Sequence, residues 1–196
     1  MAFSDLPQPL HPPTWVAMRD EDHTYREGDC AANGPVLLLS VAGQAEEAAD
    51  RPAAGAARRH LDAIISRLHA AIPELVPYPY ADAYPILNAH HGVEYKEMTH
   101  RTEAPVSEYI EAANIARVVA CVAGRPVIAF GGRAKRTCRA AGITPLMAGR
   151  HPSSLNRITN AQARGDTPGE RAASRYDAAS AGLLGSLRSI DPNPPR

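Results

Sequence analysis

The hydrophobic pattern of this chain changes period several times. Residues 35–43 (PVLLLSVAG) form an apolar run bounded by proline and glycine, the pattern of a strand buried on both faces. Residues 53–72 place Leu61, Ile64, Ile65 and Leu68 at i, i+3, i+4 and i+7, which predicts an amphipathic helix. Residues 73–85 hold four prolines and three tyrosines and read as a long ordered loop, a length at which loops often carry function. Beyond it, 86–90 (ILNAH) reads as a short strand, 106–124 as a second helix ended by Gly124, and 125–130 (RPVIAF) as a third strand. Residues 131–142 read as a short basic helix, 143–149 (ITPLMAG) as a strand interrupted by Pro145, and 168 to about 188 as a closing helix.

This alternation predicts an α/β fold, a three-layer α/β/α sandwich around a central four-stranded parallel sheet. The length of 196 residues fits one domain, with a proline-rich segment at about 1–14 and a loose tail at about 190–196. In such sheets the ligand lies outside the carboxyl ends of the strands. The polar residues just past those ends are 44–47, 88–91, 131–133 and 150–156.

Composition narrows the class without naming a substrate. A hydrophobic share of 44% suits a soluble globular protein, and no apolar run approaches the ~20 residues of a membrane span. The start, MAFSDLPQPLHPPTW, lacks the charged-then-apolar order of a secretory leader, so the expectation is a cytoplasmic monomer with no membrane partner. Cys30, Cys121 and Cys138 are widely spaced with no CxxC pair, which disfavours a zinc ribbon. His90 and His91, near Glu94 and His100, lack the spacing of a metal motif. Neither a metal nor a cofactor is expected.

The formal net charge of zero conceals an asymmetry. Residues 1–50 carry nine acids against Arg19 and Arg26. Residues 131–165 carry Arg133, Lys135, Arg136, Arg139, Arg150, Arg157 and Arg164 and no acid. A local basic field on a neutral protein points to an anionic partner.

Gly43-Gln44 after the first strand, Asn88 after the second, FGGRAK (130–135) after the third and His151-Pro152-Ser153-Ser154-Leu155-Asn156 after the last together resemble the uracil-DNA glycosylase superfamily. In that family's best-known branch the first motif reads GQDPYH and the last HPSPLS. The resemblance spans roughly residues 34–160, and its most specific part is HPSSLN. It implies a DNA partner and the extrusion of one nucleotide from the stack. It also implies roles. His151 would hydrogen-bond the leaving base as negative charge develops on it. Asn88, with Gln44 beside the pocket, would read the base edge. Leu155 would fill the hole left in the stack. Ser153 and Ser154 would hold phosphates, with Arg150, Arg157, Arg133 and Lys135 supplying charge. Beside these implied roles, the loop tyrosines Tyr78, Tyr80 and Tyr84 could stack on the extruded base or a sugar, or pack the proline-rich loop onto the core.

Two departures from the family pattern matter. Ala45 stands where the family has an aspartate that positions water and steadies the cationic sugar. Glu46, Glu47 or Asp82 would then supply the carboxylate, and the adjacent glutamates also suit a helix N-terminus. Glu47 stands where the uracil enzymes have a tyrosine that blocks groups on C5 of the pyrimidine. Its loss favours a larger base. The leading expectation is a monofunctional glycosylase that releases a bulky 5-substituted cytosine, such as glucosylated hydroxymethylcytosine of phage DNA, in antiphage defence. The alternatives are a uracil-DNA glycosylase of base-excision repair, a non-catalytic DNA-binding relative and a nucleoside hydrolase.

Overall fold

The computed structural model describes residues 25–29, 34–157 and 163–187, the side chains of Asn156 and Arg157 excepted. The proline-rich start, the C-terminal tail and Cys30 lie outside the described residues. Five strands form one sheet: β1 (Tyr25–Arg26), β2 (Val36–Leu39), β3 (Ile86–Asn88), β4 (Val127–Phe130) and β5 (Met147–Gly149), in the order β1-β3-β2-β4-β5. The pairings among the four expected strands are parallel: β2 with β3, β2 with β4, and β4 with β5. The sheet is nevertheless mixed and not four-stranded parallel, because β1 joins the outer edge of β3 antiparallel, with Tyr25 opposite Leu87. Two residues of edge strand have no hydrophobic periodicity to read, and their pairing runs through the backbone.

Alternation along each strand divides the core. Leu37, Leu39, Ile86, Ile128, Phe130 and Met147 face one side, where they meet Leu61, Ile64, Ile65 and Leu68 of α2 (Gly55–Ala71) and Leu183 of α7 (Pro168–Leu184). Val36, Leu38, Leu87, Val127 and Ala129 face the other, against Val118, Cys121 and Val122 of α5 (Ala112–Val122) and Ala134 and Cys138 of α6 (Gly131–Ala140). Helices therefore cover both faces of an α/β sheet. The free thiols of Cys121 and Cys138 are buried, and burial pushes the Cys138 thiol up to about 11.

Short helices complete the connections: α1 (Gln44–Ala49), α3 (Lys96–Thr99) and α4 (Val106–Tyr109). The single helix expected over 106–124 is thus two, α4 and α5. The reason lies in Asn114, whose side-chain amide donates to the carbonyls of Tyr109 (3.0 Å) and Ala89 (2.7 Å). It takes the carbonyl that a continuous helix would have used, as short amides do when they compete with the ladder. The start of α7 is conventional: Thr167 caps it, Glu170 reaches back to the Thr167 amide at 2.9 Å, and Pro168 opens the first turn.

The tyrosine-proline loop is pinned. Its 3-10 turn, Ala81–Ala83, places the Asp82 carboxylate among Arg26, Arg51 (2.7 Å) and Arg58 (2.5 Å). Arg58 also pairs with Asp62 at 2.7 Å, and Asp62 accepts from the Ala81 amide at 2.8 Å. This network ties β1, α2 and the loop together. Asp82→Ala leaves three guanidinium groups without their common acceptor. Breaking a fully buried pair costs ~3–5 kcal/mol, and Asp82 is partly exposed, so the expected loss is about 2 kcal/mol in urea unfolding.

Candidate functional site

Chain order fixes where a ligand can enter. From β2 the chain crosses to β3 on one side, and then to β4 on the other side of β2. The connections leaving β2 and β4 part there, which opens a crevice at their carboxyl ends. A cleft of about 730 Å³ lies at that point. Its walls come from Ser40, Val41, Gly43 and Glu46 after β2, from Gly131, Gly132, Arg133 and Arg136 on α6, and from His151, Ser153 and Ser154 after β5. Glu94, Thr102 and Glu103 also line it, and Ala45, Ala54, Ala56 and Ala57 contribute small side chains.

Gly131 is where three strand ends meet. Its φ is +96°, and a Cβ there would stand 3.2 Å from the His151 Cβ and 3.3 Å from the Ser40 Oγ. Both the backbone conformation and the close approach require glycine. Gly131→Ala is expected to destabilise the fold by about 1–3 kcal/mol in thermal or urea unfolding. The same change displaces His151, so ligand affinity at the cleft should fall with it.

His151 has the most informative surroundings. Its Nδ1 lies 2.8 Å from the Ser153 Oγ and accepts from the Ser153 amide at 3.3 Å. A nitrogen that accepts a backbone N–H bears no proton, so the neutral ring carries its proton on Nε2. That Nε2 is enclosed and makes no hydrogen bond within the described residues. Burial pushes the imidazole down to about 4, so it is uncharged at neutral pH. The loop is held from behind: His60 of α2 bonds the Pro152 carbonyl at 2.9 Å, and the 3-10 turn Pro152–Arg157 packs on α2.

Of the three candidate carboxylates, Glu46, Glu47 and Asp82, Glu46 lines the cleft. One oxygen accepts from the Gly43 amide at 3.1 Å, as a helix N-terminus favours. The cleft thus carries an uncharged imidazole at His151, carboxylates at Glu46, Glu94 and Glu103, hydroxyls at Ser40, Ser153 and Ser154, and cations at Arg133 and Arg136. Arg133 stacks its guanidinium 5.6 Å from the Tyr109 ring centroid. The Tyr109 hydroxyl donates to Glu103, and burial, followed by that carboxylate, raises its pKa.

Of the residues expected at the site, Glu46, Arg133, His151, Ser153 and Ser154 come together. Of the others, those with described side chains do not line the cleft. Gln44 is exposed on α1. Asn88 is buried at the end of β3 on the α2 side; its carbonyl accepts from Arg117 at 2.7 Å and its Nδ2 has no partner within the described residues. Glu47 accepts from the Tyr95 hydroxyl at 2.7 Å. Asp82 serves the arginine network. Tyr80 is exposed on the loop, whereas Tyr84 is a core residue whose hydroxyl donates to the Tyr78 carbonyl at 2.8 Å, so it has no free face for stacking. Leu155 is 1% exposed and packs with α2 and α7 in the core, which corrects its reading as a protruding wedge. Lys135 and Arg150 line a second, smaller cleft. The Arg157 side chain lies outside the described residues.

Sequence reasoning missed Ser40 and Glu103, and noted Glu94 only beside the histidines that lack a metal spacing. Glu94 reaches the cleft because Val93 bridges Ala42 beyond the end of β2, and its amide donates to the Ala42 carbonyl at 2.8 Å. With His90 and Glu108 it offers ligand atoms within 4.8 Å of one another. A cation already stands there: Arg101 bonds both carboxylates. Burial opposes the Glu94 charge, but hydrogen bonds from Arg101 and Thr99 outweigh it and hold the carboxyl below its ordinary range. Burial, then His91, lowers the His90 imidazole.

The fold and the site define an α/β protein with a neutral-histidine cleft at the switch point of its sheet. No protein-family model matches the chain and no curated protein matches it.

Proposed function

We propose that this protein is a monofunctional DNA glycosylase that hydrolyses the bond between a modified pyrimidine and its sugar. The observation that carries this reading is the uncharged His151, a residue that lines the same cleft as the Glu46 carboxylate and whose enclosed Nε2 has no partner among the described residues. Breaking the N1–C1′ bond sends its electron pair to the base, and the negative charge gathers on N1 and the 2-oxo group. His151 donates a hydrogen bond to that oxygen. An imidazole held neutral can stabilise an anion without first protonating it, and one such donor is typically worth about 3–4 kcal/mol of barrier. The sugar becomes cationic at C1′. Glu46 stabilises that charge and accepts a proton from the attacking water, while the departing base takes up a proton from solvent. Arg133, with Arg136 from the same helix, holds phosphate, while the Ser153 hydroxyl and amide keep the imidazole oriented.

Two features refine the substrate. The small side chains of Ala45, Ala54, Ala56 and Ala57 leave room beside the base, and about 730 Å³ falls within the ~300–1,000 Å³ of ligand pockets. This favours a bulky 5-substituted cytosine, such as a glucosylated hydroxymethylcytosine, over plain uracil, and a role in defence against phages over repair. The burial of Leu155 removes the wedge that would replace a flipped base. Single-stranded DNA, with no duplex stack to fill, is therefore the preferred form. The same observation favours, as a second reading, hydrolysis of free nucleosides. The test is incubation with single- and double-stranded DNA containing uracil, cytosine or glucosylated hydroxymethylcytosine, and with the matching nucleosides. Mass spectrometry identifies any free base. Release of the glucosylated base from single strands supports the proposal; release from nucleosides alone selects the second reading, and no release from any substrate rejects both.

A further inference from the structure

The second cleft, of about 400 Å³, lies between the end of β5 and α7 and belongs to no part of the chemistry above. Lys135, Arg150 and Arg175 line it together with Gly149, Ala179 and Gly182, and among the described residues no acidic one does. Lys135 and Arg150 make no ion pair with a described residue. The nearby acid of α7, Asp177, is turned away and paired with Arg67 of α2 at 2.6 Å. The floor is tight, since a Cβ on Gly149 would stand 2.7 Å from Leu183, whereas a Cβ on Gly182 would meet nothing within 4 Å.

The two clefts share their walls. Helix α6 sends Arg133 and Arg136 into the main cleft and Lys135 into the second. The turn after β5 sends His151 one way and Arg150 the other. Three cations converging on a concave surface, with no acidic residue among the described ones that line it, match a phosphodiester, which carries one negative charge per nucleotide and is bound with release of counterions. We infer that the Lys135–Arg150–Arg175 cleft binds the nucleic-acid backbone flanking the nucleotide in the main cleft. This rests on the glycosylase reading for its choice of DNA as the anion, and it adds a second, sequence-independent anchor that fixes the strand across α6.

Gly182 provides the test, because it lines the cleft and a Cβ added there meets nothing within 4 Å. In Gly182→Glu a carboxylate enters the basic cleft; Gly182→Gln adds nearly the same bulk without charge. Affinity for a single-stranded oligonucleotide is measured against salt, with thermal unfolding as the control for folding. Gly182→Glu should weaken binding at least tenfold and reduce the log–log salt slope by roughly 0.7 for each phosphate that is no longer neutralised. Gly182→Gln should stay within about threefold of the wild type, and base release at saturating DNA should be unchanged in both. Affinity and slope of Gly182→Glu within twofold of wild type would overturn the inference. So would equal losses in both variants at an unchanged slope, which would mark a steric effect. Binding sensitive to Gly182→Glu in a protein that releases no base would retain this cleft and reject the glycosylase reading. Base release with an insensitive Gly182→Glu would do the reverse, and a wild type that binds no DNA would reject both.

Discussion

His151→Ala is expected to lower base release by about 10²–10³-fold at neutral pH while leaving DNA affinity within a few-fold of wild type. The magnitude is that of one preorganised donor to a developing anion. Measured in single turnover, the loss should lie in the chemical step. His151→Gln, which keeps an N–H donor at the end of a flexible arm, should retain more activity than alanine. The acid limb of the rate should not follow an ordinary histidine, because the imidazole stays neutral until it protonates at about 4. The same shift sets a stability trend. The unfolded chain binds a proton at this residue near pH 6.5, whereas the folded chain does so only near 4. Between those values the unfolded state holds more protons, so stability rises with pH across the window and is lost as pH falls through it. Below both values the penalty is complete. Removing the imidazole should therefore flatten the acid side of the melting-temperature profile between about pH 4 and 6.5.

Leu155→Ala should destabilise the protein by about 2–4 kcal/mol in chemical denaturation, the ordinary cost of a buried leucine truncated where the surroundings cannot collapse. Its side chain is 1% exposed within the core formed by α2, α7 and the sheet. The loop carrying His151 sits directly on that packing, so activity should fall too, as heat lability first and turnover second. Below the melting temperature, activity on single strands should remain within about tenfold of wild type. A leucine that served as a wedge would behave oppositely, with unchanged stability and a selective loss on duplex DNA.

The contrast between those two residues shows what the chain discloses without its structure. Val36–Leu39 is apolar at every position and is a central strand, and the spacing of Leu61, Ile64, Ile65 and Leu68 is the buried face of α2. The carboxyl-edge rule then brings Glu46, Arg133 and His151 to one cleft from stretches far apart in sequence. Other readings fail for local reasons. Leu155 is the single apolar residue of a polar turn, and nothing in its neighbours reveals that the turn lies against α2. Asp82 and Tyr84 sit in a loop whose composition suggests recognition, yet three arginines and a core hydrogen bond consume them. β1 is fixed by backbone pairing and by the Arg26–Asp82 ion pair, neither of which has a hydrophobic period. Glu94 enters the cleft through a one-residue bridge beyond the regular strands, which no pattern announces.

The whole account depends on an uncharged imidazole that offers Nε2–H to the cleft, and ¹⁵N NMR of the His151 ring across pH reads this directly. A protonated Nε2 and an unprotonated Nδ1, persisting from neutral pH down to about 4, are expected. A ring that titrates near its ordinary value of about 6.5, or that carries its proton on Nδ1, would contradict it.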